Sequence, residues 1–223
     1  MKIDRIIIFD MDGTLYDLDD VVSMNYEMQV EFLSMKKNMS REEAVSYLAE
    51  NSIFSIITKE SKSATEFFLQ IGFDKKEWTE YREKHFDVSK IKKEKALDDA
   101  TIRRFVNYGT LVLLTSNSYA NIQRILDYLE ISLDNFTEVI CSDHFPYSEQ
   151  FQKKLAMHYL AEKYQIPFSS LLSIGDRFST DIQPIIDLGG KGVLIKKPSN
   201  LKILLSDLGS KRLRSNIAYE YYQ

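Results

Sequence analysis

The chain is poor in cysteine, proline, glycine and net charge, and each shortage excludes something. One cysteine in 223 residues, Cys141, rules out an internal disulfide and suits a reducing compartment. Four prolines and eight glycines leave no stretch with the composition of a long flexible linker. There is no internal repeat and no low-complexity tract. No apolar run approaches the ~20 residues of a membrane span, and the start Met1-Lys2-Ile3-Asp4 lacks a signal-peptide pattern. A basic excess is missing too: 29 Lys and Arg against 33 Asp and Glu give a net charge of −4. That balance argues against a dominant nucleic-acid or anionic-membrane surface. A cytoplasmic protein is expected.

What remains is an ordinary globular composition, 44% hydrophobic and 28% charged, in a chain long enough for one or two domains. One stretch stands out. Ile6-Ile7-Ile8-Phe9 runs directly into Asp10-Met11-Asp12-Gly13-Thr14-Leu15. Four apolar residues ending in Asp and Gly read as a strand buried on both faces, as in parallel sheets. Open α/β sheets bind ligands beyond the carboxyl ends of their strands, where Asp10 and Asp12 would lie. Carboxylates two residues apart in extended chain point the same way, and such like charges disfavour joint ionisation unless a cation intervenes. Hard oxygen ligands suit Mg²⁺. Gly13 permits a sharp turn whose N–H groups can face an anion. Read alone, Asp-x-Asp-Gly is equally compatible with plain turn chemistry.

Beyond Tyr16 the pattern turns helical. Met24, Met28, Phe32 and Met35 recur at spacings of three and four, and Ser40-Arg41-Glu42-Glu43 is a capping-box signature before Ala44 and Leu48. Ser63 to Glu66 repeats that signature before Phe67, Phe68 and Ile71, with Gly72 as a stop. Trp78, Tyr81, His85 and Phe86 continue the pattern, giving four or five short helices whose apolar stripes are core. From Lys90 onward strands and helices alternate. Leu111–Leu114, Val139–Cys141, Leu171–Ile174 and Val193–Ile195 read as strands, and the segments between them as helices. Such alternation implies βαβ units and a doubly wound sheet. The expected organisation is a Rossmann-like α/β core of residues 1–16 and 89–210, an inserted helical cap of residues 17–88, and a tail of residues 211–223. The basic run Lys90 to Lys95 reads as a solvated connector.

Three polar clusters then fall at strand ends: Asp10 with Asp12, Thr115-Ser116-Asn117, and Asp176 with Asp181. Singly they read as a turn, a helix N-cap and another turn. Together at one sheet edge they supply a nucleophile, hydroxyl and amide donors, and metal ligands, the parts that phosphoryl transfer requires.

The string Asp10-Met11-Asp12-Gly13-Thr14-Leu15 resembles the first motif of the haloacid dehalogenase-like hydrolase superfamily, in its subfamily with a helical cap. The resemblance implies that Asp10 is the nucleophile, forming an aspartyl-phosphate, and Asp12 the general acid/base. Leu114-Thr115-Ser116-Asn117 resembles the second motif. The run Ser116 to Asn121 is similar to a stretch of the pyrimidine 5′-nucleotidase-like branch, which favours Ser116 as the phosphate-binding hydroxyl, with Thr115 as the alternative. Gly175-Asp176 followed by Asp181 resembles the fourth motif. By resemblance, Asp10, Asp12, Asp176 and Asp181 are the metal residues, with Asp181 either bracing the site or binding Mg²⁺ through water, and Gly13, Thr14, Ser116 and Asn117 bind phosphate. Dehalogenases proper lack a residue like Asp12, so phosphate-ester chemistry is implied. The expected partner is a small phosphorylated metabolite, possibly a nucleoside monophosphate or sugar phosphate, with no nucleic acid, no membrane, and a monomeric state. A phosphomutase, or a member that binds without turnover, is the alternative.

One position departs from the pattern. The family's third motif is a lysine, commonly before proline at a helix start, and here Phe145 precedes Pro146. If Pro146 opens the helix, Lys153 and Lys154 lie ~10–12 Å along it. Both are then expected to face solvent, and a slow enzyme is expected.

Overall fold

The computed structural model describes residues 3–51, 64–144, 152–210 and 219–223. Phe145, Pro146, Phe151 and the Ser63 cap therefore lie outside the described residues. The chain divides into two compact units, Met1–Leu18 with Ile91–Gln223, and Asp19–Lys90.

The first unit is built on a six-stranded sheet of order β3-β2-β1-β4-β5-β6. Its strands are β1 (Ile6–Phe9), β2 (Thr110–Leu114), β3 (Glu138–Ile140), β4 (Leu171–Gly175), β5 (Lys191–Ile195) and β6 (Tyr219–Tyr222). The first five run parallel, and β6 pairs with β5 antiparallel. This is the doubly wound α/β fold the sequence predicts, extended by one strand. The expected tail is in part that strand: Val193 lies opposite Tyr221, and Tyr219 is fully buried.

Each apolar run has side chains on both faces, so its strand must be covered twice. On one face Ile6, Ile8, Val112 and Leu114 pack with Ala156, Met157 and Leu160 of α7 (Lys153–Tyr164) and Ile185 of α8 (Gln183–Asp187). On the other, Phe9 meets Phe105 of α5 (Asp99–Phe105) edge to face at 5.0 Å, and Phe136 at 6.4 Å. Leu155 is 38% exposed, because α7 turns Ala156, Met157, Leu160 and Ala161 inward. Among the described residues the unit also holds α6 (Tyr119–Leu129) and α9 (Asn200–Ser210).

The second unit is helical in its described residues: α1 (Val22–Lys37), α2 (Arg41–Glu50), α3 (Ala64–Gln70) and α4 (Lys75–His85). It is inserted between β1 and β2. The capping box forms, with Glu43 N–H donating to Ser40 Oγ and Ser40 N–H to Glu43 Oε2. Phe32 centres an aromatic core with Phe68 at 4.9 Å, Trp78 at 5.1 Å and Tyr81 at 5.2 Å. Met35 does not join it. It is 58% exposed, since the inner face of α1 runs through Met28, Gln29, Val30, Phe32 and Leu33. His85 stacks on Tyr81 at 4.0 Å.

Candidate active site

The register brings the strand ends level. Phe9 pairs with Leu113 on one side and Ile174 on the other, and Asp10 N–H continues the ladder to the Ile174 carbonyl at 2.9 Å. Asp10 and Asp176 thus leave adjacent strands at the same edge. Between β1 and β4 the strand order also reverses direction, the switch point where open α/β sheets hold ligands.

Gly13 sets the first loop. It has φ +79°, and a Cβ there would lie 2.4 Å from Asp176 Oδ2, so only glycine lets the two loops close on each other. Gly175 does the same for Asp181, whose Oδ2 would be 2.3 Å from an added Cβ. A π turn over Phe178–Ile182 follows, the irregularity often found at functional sites. It returns Asp181 to its own loop, where Oδ2 accepts the Arg177 N–H at 3.0 Å.

Asp10, Asp176 and Asp181 each offer a carboxylate oxygen within 4.8 Å of the others. Lys153 Nζ reaches into the group, 2.5 Å from Asp10 Oδ1 and 2.7 Å from Asp181 Oδ1. The side chains of Lys153 and Asp10 are each only 10% exposed, that of Asp181 only 3%. Burial pushes the Asp10 carboxyl well above its ordinary range; Lys153 opposes this, and Asp181, Asp176 and Asp12 add to it. Burial, then Asp181, raise Asp176 to about 6. For Lys153 burial works against the charge, but Asp10 and Asp181 more than restore it and hold the ammonium above the usual lysine range.

Lys153 corrects the sequence expectation. Gln152 is extended, at φ −137° and ψ 136°, so α7 starts at Lys153. Lys153 is then a first-turn residue aimed at the sheet edge, not one two turns along and in solvent. Lys154 does face outward, 47% exposed and 4.0 Å from Asp187.

Asp12 is not part of the three-carboxylate group. Its carboxylate accepts Asn117 Nδ2 on both oxygens, at 2.9 and 2.7 Å, and the Tyr16 hydroxyl on Oδ1. Asn117, expected on phosphate, therefore directs its amide to Asp12. Thr14 is fully buried and its N–H donates to the Met11 carbonyl at 3.1 Å, so its backbone shapes the turn. At the end of β2, Thr115 is buried and its Oγ1 accepts the Asn117 N–H at 3.2 Å. Ser116 is exposed beside it. The N-cap of α6 is Ser118, whose hydroxyl accepts the Asn121 N–H.

Several hard oxygen donors fit a divalent cation such as Mg²⁺. Asp176 Oδ1 is buried without a hydrogen-bond partner next to two other carboxylates. Crowded carboxylates with an unpaired oxygen are what a bound cation relieves.

A mostly parallel α/β sheet with a helical unit inserted after β1 and a carboxylate-rich centre at its switch point is the architecture of a Rossmann-like α/β protein with an inserted helical domain. The haloacid dehalogenase-like hydrolase family matches residues 5–189, and the chain belongs to that family. Among curated protein sequences none matches it. Solved structures share its fold. A HAD phosphatase from Thermococcus onnurineus is 20% identical, with TM-score 0.56, over 87% of this chain and 86% of that one. The putative HAD-hydrolase YfnB from Bacillus subtilis, bound to magnesium, is 14% identical with TM-score 0.54, over 92% of this chain and all of that one. A beta-phosphoglucomutase from Clostridium difficile is 15% identical with TM-score 0.54, over 95% of this chain and all of that one. No helix among the described residues is long and apolar enough to cross a membrane.

Proposed function

We propose that this hydrolase is an Mg²⁺-dependent phosphatase acting on a small phosphomonoester, with Asp10 as the nucleophile and Asp12 as the general acid/base. The observation that carries the reading is Lys153 set between Asp10 and Asp181 beside the unpaired Asp176 oxygen. It supplies the cation that Phe145 lacks, and with it goes the reason to expect a slow or inactive member.

Asp10, Asp176 and Asp181 would hold the Mg²⁺, which supplies positive charge to offset these carboxylates and the phosphate. An Asp10 oxygen attacks phosphorus as the ester P–O bond breaks, and Asp12 gives its proton to the leaving oxygen. Water then attacks the phosphorus of the aspartyl-phosphate, and Asp12 takes the proton back. Inorganic phosphate leaves and Asp10 is regenerated. Lys153 keeps a fixed positive charge on Asp10 throughout, in a buried setting where preorganised charge has its largest effect. Ser116, the exposed hydroxyl of its pair, is the phosphate donor in this reading.

The test is release of inorganic phosphate from a panel of phosphometabolites, with Mg²⁺ and with chelator. Metal-dependent release from at least one of them is expected. No release from any, by folded protein in millimolar Mg²⁺, overturns the proposal.

A further inference from the structure

We infer that Tyr16 is a positioning residue for Asp12, acting through a hydrogen bond that holds the carboxylate as proton delivery leaves it negatively charged. The inference rests on the reading of Asp12 as the general acid/base.

The local chain explains how Tyr16 gets there. The N–H groups of Thr14 and Leu15 both donate to the Met11 carbonyl, at 3.1 and 2.8 Å, closing a turn over Gly13. The turn folds the strand end back on itself, so Asp12 and Tyr16 form an isolated bridge. Leu15 is fixed from outside, its carbonyl accepting the Leu97 N–H at 2.8 Å. The Tyr16 ring is 1% exposed, and its hydroxyl donates to Asp12 Oδ1. Asn117 Nδ2 donates to both Asp12 oxygens. Asn117 is itself held, since its carbonyl accepts the Ser142 N–H and the Ser142 hydroxyl, each at 3.1 Å.

Asp12 is only half-buried. Left to solvent it would sample several rotamers, and an acid/base must lie within hydrogen-bond reach of one leaving oxygen. Two anchored donors select one orientation. They also place two N–H or O–H dipoles on the charge that appears when Asp12 gives up its proton, and hydrogen bonds to charged groups are the stronger kind. A phenylalanine would fill the same volume, so packing does not require the hydroxyl.

A leaving group that needs no proton separates this role from a structural one. For Tyr16→Phe, kcat/KM on an alkyl ester such as glycerol 2-phosphate should fall about 10–100-fold, the worth of a hydrogen bond to a charged group. On p-nitrophenyl phosphate, whose phenolate leaves unaided, it should fall less than about 3-fold, since kcat/KM covers transfer to Asp10 but not hydrolysis of the intermediate. An equal loss on both esters, or none, overturns the inference while leaving the phosphatase reading intact. No turnover by the unmodified protein of these two esters or of any member of the phosphometabolite panel removes both. Should Tyr16→Phe fail to fold, a fluorotyrosine placed at position 16 alone keeps the shape and strengthens the donor. The alkyl-to-aryl ratio of kcat/KM should then rise, and an unchanged ratio overturns the inference.

Discussion

Lys153 Nζ lies 2.5 Å from Asp10 Oδ1, across 143 residues of chain. One ammonium, buried in the first turn of α7, is thereby tied to the carboxylate on which the proposed chemistry depends. Lys153→Met should lower kcat about 10²–10³-fold, the usual cost of one preorganised charge. Lys154→Ala, an exposed neighbour, should stay within about 3-fold of the unmodified rate. Steady-state assays on the best substrate of the panel measure both, and Phe145→Lys should give no gain.

Mg²⁺ should stabilise the fold as well as support turnover. A ligand that binds only the native state adds RT ln(1 + [L]/Kd), about 2.7 kcal/mol at a hundredfold excess. Thermal unfolding with and without millimolar Mg²⁺ reads this directly. Asp176→Ala removes the oxygen that lacks a partner and should abolish the shift. A Tm that does not respond to Mg²⁺ contradicts the assignment of the three carboxylates.

Gly13→Ala strikes the same centre through the backbone. The added Cβ meets Asp176 Oδ2 at 2.4 Å in a residue with φ +79°, so both the turn and the carboxylate must shift. A loss above about 1 kcal/mol in denaturant unfolding is expected, because alanine is strained at positive φ. The Mg²⁺ stabilisation should shrink with it.

Asp98 caps α5, accepting the Thr101 N–H at 2.8 Å. Burial raises its carboxyl, but Lys202 and Thr101 outweigh that and hold it at about 2. A carboxyl depressed on folding stabilises above its unfolded pKa of about 4. That contribution should disappear as the pH falls from about 4 through about 2. Asp98→Ala should cost about 1 kcal/mol at neutral pH, the typical worth of an N-cap, and less in acid. Urea unfolding at pH 7 and pH 2.5 compares the two.

The residues differ in how plainly sequence announces them. β1 and β2 are legible because each carries an unbroken run of four apolar residues, and β4 because only Ser173 interrupts its run; a strand buried on both faces has no alternation to hide. Asp10, Asp12, Gly13 and Asp176 stand out because strands end beside them, and Asp181 by its spacing from Asp176. Tyr219–Tyr222 was not legible as a strand. It is a short edge segment, only Tyr219 of it is buried, and its ladder to β5 is a long-range contact that no local pattern encodes. The position of Lys153 is hidden for a related reason. Helix starts are read from Ser, Thr, Asp or Asn at the N-cap, and α7 begins after Gln152, which makes no capping hydrogen bond. The Asp12 clamp joins residues 105 apart in sequence through Asn117, and strand-end chemistry alone suggested phosphate as that amide's target.

Covalent capture of the phosphoryl group on Asp10 tests the central claim most directly. Turnover of p-nitrophenyl phosphate with Mg²⁺ is quenched in acid and treated with borohydride, which reduces an acyl phosphate to an alcohol. Peptide mass spectrometry should then find homoserine at position 10, absent without substrate and absent in Asp10→Asn, which should also lose turnover while keeping its fold. Steady turnover by Asp10→Asn, or the modification on a residue other than Asp10, would contradict the account.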